Sequence, residues 1–433
     1  MIPQINLPKT SISRRSQTRI MIMWISRWSR PIALTILLTC SAAQCSDWTR
    51  FRGENGDGIS LLKDVPVEWT EEDYEWKVDL PGTGHSSPVI WGVRLFVASG
   101  QDDGMRMLLC LNALTGESLW SQSVHLAPEP HVSDRNSYGS STPLVDGERV
   151  YIAFADKEHY LFSAYDHDGN PLWSEDLGPF ASQHGQGHAP ILHGETVILA
   201  NDQAGPSFVI ALNRKTGEEV WRSSRADREA AYSTPLVLAD VGQKPQLICV
   251  SGATGITGLD LETGVELWGS GELPMRAVAS PVYGEGVVIA SCGKGGKGHH
   301  MVAVEPSVDP AVKQPTVRWT RTKSLPYVPT PIISDGILYL WEDDGVVLSV
   351  DLKSGETIDR VRVGGNYYSS PVMIDHKLYC PADDGQIAVV ATQPKLELLA
   401  KSPLGEPIHS TPAVANGRVY FRGFHTLACL KAQ

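Results

Sequence analysis

Three histidines crowd the segment QHGQGHAPILHG, at His184, His188 and His193. Imidazoles at such short spacing could hold a transition metal, but zinc needs three or four converging ligands. Gly185 and Gly187 break any regular element there, and the segment reads as a loop without a third ligand. A second grouping, GKGGKGHH over 293–300, has the glycine content of a phosphate-binding loop. It lacks the Lys-Ser/Thr ending and the spacing that would cradle a phosphate. It reads as a polar link between two strands. A third, ENGDGIS, places Asn55 and Asp57 among glycines, as a calcium loop does. The twelve-residue pattern with its closing Glu is absent, so a packed turn is expected. No Gly-x-Ser-x-Gly elbow is present, and no Ser/His/Asp order stands out. No catalytic residue and no metal ligand is assigned.

Many of the serines fall in a recurring unit, and that unit leads to the elements. SSPVI, STPLV, HAPIL, STPLV, ASPVY, PTPII, SSPVM and STPAV surround Pro88, Pro143, Pro190, Pro235, Pro281, Pro331, Pro371 and Pro412. The eight prolines are 40 to 55 residues apart, the period of propeller blades. Proline lacks a ladder donor, so each marks the start of a strand. A turn and a second strand follow, as in DGERVYI from Asp146 and NGRVYF from Asn416. A third strand, a turn and a Trp complete the unit, in LNALTGESLW (111–120), YDHDGNPLW (165–173), LNRKTGEEVW (212–221) and LDLETGVELW (259–268). A degraded copy ends in Trp319, and VDLKSGETID has Asp359 at the Trp position. Each copy is read as an outermost strand ending in Trp, whose ring packs between adjacent blades. Ser or Thr before the proline is expected to bond a neighbouring backbone group.

The expected fold is therefore all-β: an eight-bladed propeller of four-stranded antiparallel blades over residues 67–433. The chain stops in a third strand, FHTLACLKAQ, and Trp76 upstream is spaced like an outer strand. An N-terminal strand around Trp76 should close the ring and remove its free edges.

In that frame the residue three before each proline lies at one mouth of the channel. These are His85, Ser140, Gly187, Tyr232, Val278, Val328, Tyr368 and His409. Just upstream lie Arg135, Asn136, Tyr138, Gln186, Arg228, Arg276, Tyr327, Asn366 and Tyr367. The candidate binding surface is His85, Arg135, Asn136, Tyr138, Gln186, Arg228, Tyr232, Arg276, Tyr327, Asn366, Tyr368 and His409. Loops on one face of a rigid ring are where binding usually sits.

The repeats resemble the pyrroloquinoline-quinone-like (PQQ-like) propeller repeats of exported bacterial proteins. The ALxxxTGxxxW pattern and the proline-marked inner strand carry the match, and WTRFRGENGDGIS (48–60) resembles the N-terminal signature of secreted members. The resemblance implies the fold and leaves two functions. One is that of BamB-like propellers, non-catalytic lipoproteins of outer-membrane assembly. The other is that of quinone-dependent dehydrogenases, which bind PQQ with calcium on the channel axis. The alcohol dehydrogenases of that kind carry a vicinal disulfide, and this chain has no adjacent Cys pair. Glu406 is the one carboxylate near the mouth to consider as a base. The expected function is a non-catalytic binding or scaffold module without cofactor, with a protein or peptide partner; a PQQ- and calcium-dependent dehydrogenase is the alternative.

Residues 1–46 read as a targeting segment, and 47–66 as an N-terminal extension. Lys9, Arg14, Arg15, Arg19, Arg27 and Arg30 precede the apolar PIALTILLTCSAA. A basic region, an apolar run and small residues make an export signal. Met21 or Met23 would give a more usual signal length. Cleavage near Ala43 to Ser46, lipidation at Cys40 within LLTC, and an uncleaved anchor are the open alternatives. Periplasm or cell envelope is the expected location, with membrane association through the weak lipobox at Cys40, where Thr39 replaces the usual Gly or Ala, as a further alternative. Net charge is −12, and without those six cations it is −18. Such a body repels nucleic acid. Cys110, Cys249, Cys292, Cys380 and Cys429 are widely spaced and read as small buried apolar residues.

Overall fold

The computed structural model describes residues 47–433 apart from 129–132, 134 and 243. The targeting segment and Cys40 lie outside the described residues. The chain forms eight antiparallel sheets, each of four strands and one with an added fifth. Every inner strand begins on the residue after its proline: Val89–Trp91, Leu144–Val145, Ile191–His193, Leu236–Leu238, Val282–Gly284, Ile332–Ser334, Val372–Ile374 and Ala413–Ala415. The sheets are numbered here as blades one to eight in that order. Among the described residues the single helix is a 3-10 turn, Glu71–Asp73, and none is long and apolar enough to cross a membrane.

The second and third strands are buried on both faces, as in Arg94–Gly100 and Met105–Asn112 of blade one. Each blade is covered by its two neighbours, so these strands read as continuous apolar runs. The outer strand faces solvent and alternates, as in Ser118–His125. The core is therefore radial, a series of clusters between successive blades. One joins blades one and two through Phe96 and Ile152, another joins two and three through Phe162 and Ile210. All five described cysteines are buried and free.

The outer strands correct one expectation. Trp does not end them but stands near their start: third in Ser118–His125 and third in Glu219–Arg225. A bulge just before the Trp is the reason. Cys110 pairs with Trp120 while Leu111 pairs with Ser118, leaving Leu119 as the extra residue. Ala211 and Leu212 skip Val220 in the same way. The extra residue turns outward, where Leu119 and Val220 are exposed, and the ring turns in toward the next blade. Four of the indole N–H groups then donate to a carbonyl there, Trp120 to His167 at 2.9 Å, Trp173 to Arg214 at 3.1 Å, Trp221 to Leu261 at 3.2 Å and Trp319 to Leu352 at 2.9 Å.

For Trp76, Trp120, Trp173, Trp221 and Trp319 the partner of the ring is the turn glycine of the following blade. A Cβ on Gly217 would come within 2.9 Å of the Trp173 ring, and one on Gly116 within 2.8 Å of Trp76. The Thr-Gly turn and the Trp are thus two halves of one inter-blade joint. Blade five has no such turn, and Trp268 of blade four instead packs on Gly258 of its own blade. Blade seven has none either, and blade six has Asp359 at the Trp position. There Asp359 accepts the N–H of Leu396 in blade seven at 2.9 Å instead.

Ring closure is as expected. Trp76–Asp79 pairs antiparallel with Thr426–Lys431, Trp76 opposite Cys429 and Asp79 opposite Thr426. It is the fourth strand of blade eight. The preceding segment has a second role. Trp48 bridges Ile90 of blade one, and the carbonyl of Thr49 accepts the N–H of Val145 in blade two at 2.8 Å. Arg50 donates to Pro235 of blade four at 3.3 Å. Arg52 donates to Thr330 and Pro331 of blade six and to Pro371 of blade seven at 3.0, 2.7 and 3.3 Å. Ile59–Ser60 then adds to blade seven as a parallel fifth strand. WTRFRGENGDGIS crosses the channel as a plug, and ENGDGIS is its turn, with Asp57 Oδ1 accepting the N–H of Ile59 at 2.9 Å. Proline gives up an N–H but keeps a free carbonyl, and the plug arginines use three of those carbonyls.

Candidate functional site

The plug contacts the ring at and beyond the prolines. The residues before the prolines therefore surround the opposite end of the channel. They enclose a cavity of about 240 Å³ with Phe51 of the plug in its lining. All eight residues three before a proline line it, and so do all eight residues one before: Ser87, Thr142, Ala189, Thr234, Ser280, Thr330, Ser370 and Thr411. The second set forms a belt that the sequence did not disclose. The N–H of Ser87 donates to Thr142 Oγ1 at 3.0 Å, Thr234 to Ser280 Oγ at 3.0 Å, Ser280 to Thr330 Oγ1 at 3.1 Å. Thr330 continues to Ser370, Ser370 to Thr411, and Thr411 returns to Ser87 at 3.0, 3.0 and 3.1 Å. Each of these six hydroxyls holds the preceding blade's backbone. The expected Ser/Thr–backbone bond exists, and it runs between blades.

Of the candidate surface, His85, Arg135, Asn136, Tyr232, Arg276, Tyr327, Tyr368 and His409 line the cavity, joined by His184. Tyr138 lies instead under the Arg106 guanidinium, 3.6 Å from ring centre to charge. Gln186 is turned to blade two, donating to the Ala153 carbonyl at 2.7 Å. Arg228 sits at the rim beside Glu272 and Glu229. Asn366 is exposed and Tyr367 is core, edge-on to Trp341 at 5.0 Å. Glu406 is spent on the loop after blade eight's second strand, accepting the N–H of His425 at 3.0 Å and of Thr426 at 2.6 Å. His188 is buried among Tyr160, Phe180 and Tyr232, and His193 ends an inner strand. The three histidines of the loop thus occupy three different settings. GKGGKGHH links the second and third strands of blade five, Val287–Gly293 and Gly298–Glu305.

One wall is an aromatic and imidazole cluster. His85 and His409 stand 4.8 Å apart, and both pack on Phe424, at 4.6 and 4.8 Å. Tyr368 meets His409 edge-on at 4.6 Å, and Arg135 lies 5.3 Å over the Tyr368 ring. His409 Nε2 pairs with Asp383 Oδ1 at 2.7 Å. Burial holds the His409 pKa below its ordinary value although Asp383 pulls the other way. Burial, helped by His409 and Arg422, holds His85 well below its ordinary value. Both are neutral donor–acceptor rings at neutral pH.

The other wall carries Arg276, Tyr327 and Tyr232. Tyr232 shares a hydrogen bond with Ser182 at 2.7 Å. Asn136 ties the two mouth loops together, donating to the carbonyls of His184 at 2.6 Å and Gln186 at 3.0 Å. Beneath Tyr327, Asp343 accepts the N–H groups of Tyr327 at 2.7 Å and Val328 at 3.2 Å. Burial nonetheless pushes Asp343 up to about 7.

The donor set can be compared with a calcium–quinone site. Calcium takes six to eight oxygens, carboxylates foremost. Among the described lining residues none is Asp or Glu, and Asp383, Asp343 and Glu406 are engaged as above. No three His, Cys, Asp or Glu among the described residues converge to hold a metal ion. These residues do not fit a calcium–quinone pair.

A family model described as outer membrane protein assembly factor BamB matches residues 71–232, 164–307 and 203–361. No curated protein matches the sequence. Among solved structures, BamB from Moraxella catarrhalis superposes with TM-score 0.59 at 14% identity, covering 82% of this chain and 96% of that one. Quinohemoprotein alcohol dehydrogenase from Comamonas testosteroni superposes with TM-score 0.65 at 12% identity, covering 90% and 81%. The computationally designed Ika8 protein gives 0.60 at 12% identity, covering 82% and 98%. At such identities the superpositions speak for the fold alone. The family model carries more, because its matches run through the Thr-Gly and Trp joints over more than half of the sequence: the chain belongs to the family of the outer membrane protein assembly factor BamB.

Proposed function

We propose that the protein is a non-catalytic binding module of the cell envelope, and that the channel mouth receives part of a protein or peptide partner. The carrying observation is the mouth cavity itself. It gathers three tyrosines, three histidines, Asn136 and two arginines around eight strand starts, six of whose junctions are stapled by hydroxyl–backbone bonds. Aromatic faces with a few fixed polar groups are the composition of recognition sites. The plug supports the same reading, since it makes the cavity a receptacle entered from one side. Membership of an envelope assembly family and the basic, apolar N-terminal segment support export to the periplasm or envelope.

A quinone-dependent dehydrogenase is the second reading, favoured by the superposition on a quinohemoprotein dehydrogenase. The lining speaks against it, offering cations and hydroxyls where calcium and a general base need carboxylates. The test has two arms. Pull-down from envelope extract should recover a partner with the wild type and markedly less with Tyr232→Ala or Tyr368→Ala. Titration with PQQ and calcium, followed by a dye-linked oxidation screen, should show neither stoichiometric binding nor turnover. Equal recovery by both tyrosine variants would remove the mouth from the function. Tight PQQ binding with turnover would replace this reading by the second.

A further inference from the structure

Five described arginines are buried at the level of the whole residue: Arg50, Arg52, Arg106, Arg276 and Arg422. Arg52, Arg106 and Arg422 each donate to two or more backbone carbonyls. Arg50 is part of the plug. Arg276 differs from all of these. It is 8% exposed and lines the mouth cavity. Its side chain has two neutral partners and no anion: a long bond from Nη2 to Gln183 Oε1 at 3.3 Å, and the Tyr327 hydroxyl. Its Nε–H is buried without an acceptor. No described carboxylate forms an ion pair with it, whereas Arg225, whose side chain is 3% exposed, is paired with Asp202 at 2.7 Å.

A buried guanidinium left short of acceptors is costly unless an anion supplies them. The guanidinium fork matches a carboxylate with two parallel bonds. The surroundings fix the rest of the occupant. The Arg276 backbone bridges Gly293, and a Cβ on Gly293 would come within 2.7 Å of the Tyr327 ring. Glycine there lets Tyr327 lie against the strand beside Arg276. Tyr232, Tyr327 and Tyr368 line a cavity of about 240 Å³. That is below the roughly 300–1,000 Å³ of drug-sized sites, so a single ring is the natural filling.

We infer that the mouth cavity binds a carboxylate carried on a small planar body, with Arg276 as the residue that pairs with the anion. This deepens the proposed binding role and rests on it for the location of the site. The carboxylate could come from a free aromatic acid or from the end of a peptide chain; the chemistry is the same.

The test is calorimetric titration of the purified protein with benzoate, benzamide and benzylammonium, three probes of like shape and different charge. Benzoate should bind about tenfold or more tighter than benzamide, and benzylammonium weakest. Arg276→Gln should erase the preference for benzoate, and Arg276→Lys should restore part of it. The peptide Gly-Tyr and its C-terminal amide separate the sources: preference for the free acid over the amide assigns a chain end, while benzoate binding without that preference assigns a free acid. Either result supports a carboxylate site. Equal binding of benzoate and benzylammonium, no binding of any probe, or an unchanged preference in Arg276→Gln would overturn it. The wild-type probe series needs no variant to fold. Benzoate selectivity without partner capture would keep the anion site and remove the partner role, so the two failures are distinct.

Discussion

Asp343 and the mouth histidines set opposite pH slopes on stability. Asp343 is raised to about 7 by burial, above its ordinary 3.8. The folded state therefore keeps a proton that the unfolded chain releases, and its contribution is lost as pH rises from about 4 to about 7. His85 and His409 are held below their ordinary 6.5 by burial. Their contribution is present above that value and is lost as pH falls below it. Asp343→Asn keeps an acceptor for one of the two N–H groups and cannot ionise. Its stability relative to wild type should rise between pH 4 and 7 and level off above, read as melting temperature against pH. A difference that stays constant across that range would contradict the burial assigned to Asp343. His85→Phe, which retains the packing on Phe424, should lessen the loss of stability below pH 6.5; acid unfolding identical to wild type would contradict a neutral, buried imidazole.

The joint between blades is the element that explains most of the sequence repeat. Trp221 is 7% exposed, donates to the Leu261 carbonyl at 3.2 Å and lies on Gly264 of the next blade. Trp221→Ala should cost about 3–5 kcal/mol, measured by urea unfolding. Gly217→Ala should cost about 2 kcal/mol, because its φ of +79° is left-handed and the new Cβ meets Trp173. Little change in either midpoint would remove the joint from the stability of the ring. The eight prolines, the Thr-Gly turns and the rings of this joint were legible because each needs a particular residue type at a fixed offset. The bulge before each Trp was not, since Leu119 and Val220 look like ordinary strand residues until the register is seen. The mouth was legible in part. The residues three before each proline follow from strand direction alone, so all eight were placed. Tyr138, Gln186, Arg228 and Asn366 come from loops of unequal length, where no repeat fixes which way a side chain turns. The plug was missed as a plug, because Arg50 and Arg52 bond carbonyls that are remote in sequence and carry no side-chain signature.

At the scale of the whole molecule the N-terminal segment does two jobs on one ring. Residues 76–79 complete blade eight, and residues 48–60 stopper the channel. A chain lacking 47–60 keeps its closing strand and should still fold, with a lower melting temperature. Arg52→Gln should lose part of the same stability, because it strips charge-assisted bonds to blades six and seven. Melting temperatures equal to wild type would deny the plug a stabilising role. A stoppered ring leaves one polar entrance, and that asymmetry is what the binding role requires. The most direct measurement is photocrosslinking in the envelope, with p-benzoylphenylalanine in place of Tyr368 at the mouth or of Val317 on an outer strand, where the side chain is 54% exposed. A discrete adduct from the mouth position, absent from the outer position, is the predicted result. No adduct at the mouth, or the same adducts from both positions, would contradict the mouth as the binding surface.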